Sequence, residues 1–190
     1  MAGIATVKFD ERKLRNLQRE LSGVRGGMKK VMSRGINKTT KAARTKTARG
    51  INEKINLGVG AVRKSITMEK ASYSIWRADL DVAGKRVPLI KFGASQTKTG
   101  ISYKIDKSGG RKKIPGGFKQ TVTSGHKGAF FRPGKKRYPI VQLFGPSVGR
   151  FFAGSRDVLR RVMRDTGRDL KKNIQVQTDL LLAKLKSRAS

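Results

Sequence analysis

A site that moves protons near neutral pH most often uses histidine, and this sequence offers one, His126. It sits in Ser124-Gly-His-Lys-Gly128, a glycine-flanked turn with no second titrating partner recognisable nearby, and reads as a loop histidine bonded to backbone. Asp79 and Asp81 are spaced to project from one face of a strand, where paired carboxylates can hold Mg²⁺. With no further acidic cluster to complete a two-metal nuclease, the pair reads as a solvated strand face. The run from Gly128 to Lys136 has one residue too many between its glycines for a phosphate loop, and Lys136 where Ser or Thr would hold Mg²⁺. Gly58-Val-Gly60 is followed by Arg63 where a dinucleotide fingerprint needs a third small residue. Cysteine is absent, which removes disulfides, thiolate metal sites and a Cys nucleophile. No serine nucleophile elbow is expected. No catalytic residue, metal or cofactor is expected.

Charge is where the residues do point to chemistry. Lys and Arg number 45 against 12 Asp and Glu, a formal net charge of +33 in 190 residues. A field of that size favours polyanions and acidic protein surfaces as partners. Between Ala83 and Arg156 the one acidic residue is Asp106, while cations gather at Arg111-Lys112-Lys113 and Lys135-Lys136-Arg137. Lys112, Lys113, Arg132, Lys135, Lys136 and Arg137 are therefore the candidates for contacting DNA phosphates or another anionic partner without regard to sequence. The alternative is that they solvate the surface or pair with acidic neighbours. No apolar run approaches the length of a membrane span, and the first ten residues do not resemble a secretory signal, so a soluble protein made in the cytoplasm is expected.

The elements that must carry these residues follow from periodicity. Ile4 to Phe9 suits a short strand, with Asp10 as a helix N-cap. Leu14, Leu17 and Leu21 repeat at helical spacing, and Gly23, Gly26 and Gly27 then interrupt. From Met28 to Ile55 a thin stripe of Met28, Met32, Ile36, Ala43, Ile51 and Ile55 predicts a helix, weakened by Gly35, Gly50 and Thr39-Thr40, that packs on something large such as a neighbouring subunit. Leu57 to Ile66 reads as a turn and short helix. Thr67 to Val82, Pro88 to Phe92, Gly100 to Ile105, Phe118 to Val122, Gly128 to Arg132 and Pro139 to Leu143 read as strands. Helical spacing resumes from about Arg156 to Ser187. The fold class is α+β: N-terminal helices over 1–66, a central twisted antiparallel sheet with long basic loops over 67–152, and a long C-terminal helix within 153–190, forming one compact domain.

Two turns display aromatics. Pro115-Gly116-Gly117 throws Phe118 forward, and Phe144-Gly145-Pro146-Ser147 does the same before the C-terminal helix. Phe118, Phe144 with Gly145 and Pro146, and Phe151-Phe152 are thus candidates for a subunit interface, with a place in the chain's own core as the alternative.

The ordered combination of Ile114-Pro-Gly-Gly-Phe118, Ser124-Gly-His-Lys-Gly128, Phe130, Arg132 and Arg137-Tyr-Pro-Ile-Val-Gln-Leu-Phe-Gly-Pro-Ser-Val148 resembles the prophage minor tail protein Z family. The resemblance covers roughly residues 88–152; the N-terminal helices fit only in their basic character. It implies a structural, non-enzymatic tail-completion component of a long-tailed bacteriophage, added at the head-proximal end of the tail during assembly in the host cytoplasm. There it would help join tail to head and pass or hold DNA. A homo-oligomeric ring, a hexamer by family habit, is the implied form, with tail terminator, tail tube, tape-measure or head-neck proteins as partners. The competing reading is a freestanding nucleic-acid binder of ribosomal or nucleoid type, for which such charge is ordinary. It lacks an RNP-like strand, a KH-type loop and a clear helix-turn-helix.

Overall fold

The computed structural model describes residues 11–189, so the expected strand at 4–9 and its Asp10 cap lie outside the described residues. The elements run α1 (Glu11–Glu20), α2 (Gly27–Lys54), α3 (Val59–Lys64), β1 (Ile66–Glu69), β2 (Asp79–Val82), β3 (Arg86–Pro88), a 3-10 turn (Leu89–Phe92), β4 (Ser95–Thr97) and β5 (Gly100–Tyr103). They continue with β6 (Lys112–Pro115), β7 (Phe118–Thr121), β8 (Lys127–Phe131), β9 (Val141–Gln142), β10 (Phe144–Ser147), α4 (Val148–Gly154) and α5 (Arg156–Ala189). The class is α+β, with helices at both ends and small sheets between them. The chain packs as two compact units: residues 11–47, 67–81 and 159–189 form a helical unit, and 48–66 with 82–158 form a sheet unit.

In the helical unit the stripe on α2 is thin because its partner comes close. A Cβ added at Gly35 would lie 2.8 Å from Cγ1 of Ile174 on α5, so the glycine that costs helix propensity is what admits the second helix. The partner that α2 was expected to need is thus α5 of the same chain. Val31, Met32 and Ile36 of α2 join Leu21, Ala71, Leu170 and Ile174 in one apolar cluster. Three buried threonines turn their hydroxyls back on the helix: Thr39 donates to Gly35 O at 2.8 Å, Thr40 to Ile36 O at 2.9 Å and Thr178 to Ile174 O at 3.0 Å. Each hydroxyl hydrogen is satisfied within its own helix. β1 pairs with β2, and Asn37 anchors the segment between them, its amide donating to Ala71 O and accepting from Ala71 N–H, both at 2.9 Å.

In the sheet unit the single expected sheet is divided. Antiparallel β4-β5-β6 and β7-β8-β9 are three-stranded, and β10 pairs with β3. Short strands cannot sustain one ladder, and polar side chains stitch the pieces. Gln96 donates to Gly100 O and Gly117 O and accepts from Lys119 N–H at 2.8 Å, tying β4 to the start of β7. Asn56 donates to Phe92 O and Lys104 O. Leu89 to Phe92, expected to be strand, instead curls into the 3-10 turn, closed by Gly93 in the left-handed region at φ 62°. That turn buries Phe92, 1% exposed, in a unit where Ile51, Ile55, Val62, Ile66 and Ile101 are also fully buried.

Candidate functional site

The six candidate cations occupy two places. Lys112 and Lys113 lie on β6, an edge strand, opposite Tyr103 and Ser102, and both are exposed. The pair is therefore strand rather than the expected loop; a lysine-rich edge strand also discourages pairing with foreign strands. Their neighbour Arg111 is committed elsewhere. Its guanidinium donates to Ser102 Oγ and O, Gly93 O and Ser95 Oγ at 2.8–3.0 Å, pinning the 93–95 segment to β5.

The second place is the connection from β8 to β9. Ile114 O accepts from Gly117 N–H with Pro115 and Gly116 between them, Gly116 having φ +67°, a type II turn that starts β7 at Phe118. Phe118 stands opposite Phe130, ring centroids 6.2 Å apart. The Arg132 guanidinium covers Phe118 at 4.3 Å from the ring centre and donates through Nε to Arg137 O at 3.3 Å. Arg132 therefore closes the loop whose tip carries Lys135, Lys136 and Arg137, all exposed. Tyr138, 63% exposed with Arg137 5.8 Å over its ring, completes this tip and escaped the sequence reading. An aromatic beside a run of cations was the signal.

The aromatic candidates separate by exposure. Phe118, Phe151 and Phe152 are half-buried, Pro146 likewise, whereas Phe144 is 47% exposed. Phe144-Gly-Pro-Ser is not the expected turn: it forms β10, with a register shift between Phe144 and Ser147 that accommodates the proline. Gly145 is buried because the Phe92 ring lies where a Cβ would be, at 2.5 Å. Its role is internal packing.

Gly145-Pro-Ser147-Val-Gly149 does have the Gly-x-Ser-x-Gly spelling of a nucleophile elbow and does join a strand to a helix. The backbone is wrong for that role. Ser147 is extended, φ −78° and ψ 154°, rather than held in a strained turn, and its hydroxyl caps α4 by accepting from Arg150 N–H at 3.2 Å. His126 is exposed, its Nε2 2.9 Å from the side-chain nitrogen of Gln142, a link from the β7–β8 turn to β9. Asp79 pairs with Arg77 at 2.8 Å. Among the described residues no three His, Cys, Asp or Glu gather at metal-binding distance, and no helix is long and apolar enough to cross a membrane.

The model of one protein family, Prophage minor tail protein Z (GPZ), matches residues 12–184, nearly the whole chain. The chain belongs to the prophage minor tail protein Z family. It is a structural protein of the bacteriophage tail, and its place is the tail of the virion. The match takes in the N-terminal helices and α5 as well as the Pro-Gly and Leu-Phe-Gly-Pro segments that carry the resemblance in the sequence. No curated protein and no solved structure matches the chain.

Proposed function

We propose that this minor tail protein Z family member is a tail-completion component at the head-proximal end of the tail. It forms a ring, a hexamer, that helps join tail to head, and it works by binding rather than by catalysis. Its neighbours are tail terminator and tail tube proteins, with the tape-measure or head-neck proteins within reach. The β8–β9 loop contacts DNA phosphates without reading sequence, and Phe144 serves a subunit contact. One observation carries the DNA contact: Lys135, Lys136 and Arg137 stand exposed on a loop closed by Arg132, in a stretch from Ala83 to Arg156 whose one acidic residue is Asp106. Cations held there with no carboxylate nearby in sequence are left for an outside anion.

Each neutralised phosphate adds about 0.9 to the slope of log affinity against log salt. The Lys135→Glu/Lys136→Glu variant should flatten that slope by about 0.9 for each phosphate it leaves without a cation, measured by fluorescence anisotropy on two unrelated duplexes. An unchanged slope would remove DNA from the reading and leave acidic proteins as the loop's partner. Sedimentation velocity at high salt without DNA tests the ring: one discrete oligomer supports it, and a monomer at all concentrations overturns it.

A further inference from the structure

The segment between β1 and β2 belongs to the helical unit and presents apolar side chains that its own fold does not cover. Tyr73 is 53% exposed, Ile75 64% and Trp76 43%. Three large apolar groups clustered between positions 73 and 76, in a chain this charged, are not the scattered surface hydrophobes of an ordinary surface.

The segment is held in shape. Ser72 N–H donates to Ile75 O at 2.9 Å, Ile75 N–H to Ser72 Oγ at 3.0 Å, and Trp76 Nε1 to Tyr73 O at 3.2 Å. Its base is the Asn37–Ala71 pairing. A display fixed in advance loses little entropy when a partner covers it, which is how a few aromatic anchors come to dominate an interface.

Beside Tyr73 opens a cleft of about 370 Å³ lined by Ser33, Arg34, Asn37, Ala71, Ser72 and Tyr73. The Asn37 oxygen and one of its N–H bonds are engaged by Ala71, so what this cleft offers is donors, chiefly the exposed Arg34 guanidinium and the Ser72 hydroxyl hydrogen, and no carboxylate lines it. That chemistry receives an acceptor with negative charge. An acidic segment complements these groups, whereas most segments of a second copy, with 45 Lys and Arg against 12 Asp and Glu, would bring further cations to this particular cleft.

We infer that the Tyr73–Trp76 loop and the cleft beside it dock an acidic segment of another tail protein, one that places Asp or Glu next to large apolar residues. The carboxylate enters the cleft toward Arg34, and the apolar neighbours cover Ile75 and Trp76. This uses a different segment from the DNA-contacting loop and rests only on the chain's being a tail protein.

The chain has no cysteine, so Ser74→Cys places one thiol at the loop and Ser108→Cys, also exposed, serves as control. Each variant is added to purified tails assembled without this protein, and maleimide alkylation of the 21.0 kDa chain is followed with time. Docking should slow alkylation at residue 74 at least tenfold in tails, but not for the chain alone, with duplex DNA or with phosphatidylglycerol vesicles. Ile75→Ala/Trp76→Ala should weaken tail binding about 30-fold or more, as loss of an interface anchor does. Arg34→Glu should weaken it about tenfold, and Arg34→Lys less. Tail binding with alkylation at the free-chain rate would overturn the inference while leaving the family reading intact. Protection by the chain alone, DNA or vesicles would overturn the acidic-protein occupant. A chain that does not bind tails at all would sink both the inference and the assembly role.

Discussion

In the helical unit, carboxylates on α5 meet a cation on α2: Lys46 lies 2.7 Å from Asp169 and 3.7 Å from Asp165, which also takes Arg168 at 3.0 Å. In the sheet unit the acidic residues are Glu53, Asp106 and Asp157, against cations on β3, β6, β7 and β8 and in the loops between strands. Lys54 there meets Asp157, while other cations turn to carbonyls, as Arg111 does with Gly93 O and Lys119 Nζ with Ala94 O at 3.0 Å, or to solvent. The cohesion differs as well. An apolar stripe between two long helices needs few polar connections, whereas ladders of two to five residues need Gln96 and Asn56 to bind them together. One cationic composition thus serves a unit that neutralises part of its charge internally and a unit that keeps its charge for others.

The contrast would break most visibly at Phe92. Phe92→Ala removes the wedge on which the 3-10 turn, β10 and Gly145 pack, and should cost about 3–5 kcal/mol in urea denaturation. Phe144→Ala, beside Gly145 in sequence but half in solvent, should stay within about 1 kcal/mol of the parent while the proposed ring, read by sedimentation, is lost. Equal destabilisation by both would make Phe144 a core residue. Next in size is Gln96→Ala, which leaves Gly117 O and Lys119 N–H without this partner; it should cost about 1–3 kcal/mol and speed hydrogen exchange at the Lys119 amide. Lys46→Ala in the helical unit should cost less than about 1 kcal/mol, because its ion pairs are partly exposed and the apolar stripe carries that unit.

The smallest effect concerns Asp157. The Lys54 ammonium bonded to it, with help from N–H groups at the start of α5, holds its carboxyl below the usual value. The sign follows: this stabilisation is present above the unfolded carboxyl's pKa of about 3.9 and is lost as pH falls through the lower folded value. Asp157→Asn should therefore lessen the fall in stability as pH drops below about 4, read from thermal melts. An unaltered acid profile would deny the pairing any weight.

The long helices were legible in the sequence because a 3.6-residue period survives even a thin stripe; Leu14, Leu17, Met32, Ile36, Leu170 and Ile174 are enough to place α1, α2 and α5. β5, β7 and β8 were legible from their β-branched and aromatic residues and the Gly, Pro, Ser and Lys clusters that bound them. The misreadings all turn on contacts remote in sequence. Gly145 and Pro146 signal a turn locally, yet pairing with β3 and the space needed by Phe92 make them strand. Lys112 and Lys113 look like loop charge until Tyr103 and Ser102 supply a ladder. Thr67 to Val82 has strand-like composition, but only its ends pair, and the exposed Tyr73–Trp76 loop lies between them. For the cationic site, the residues themselves were legible; that Arg132 is a buckle over Phe118 while Lys135 and Lys136 are free tips depends on how β7 and β8 meet.

The meeting of Gly35 with Ile174 carries an evolutionary corollary. With no room between them for one more carbon, side-chain bulk at these two positions is a shared quantity, and relatives of this protein should trade it: alanine at the first accompanied by valine or a smaller residue at the second, and glycine retained wherever isoleucine stays.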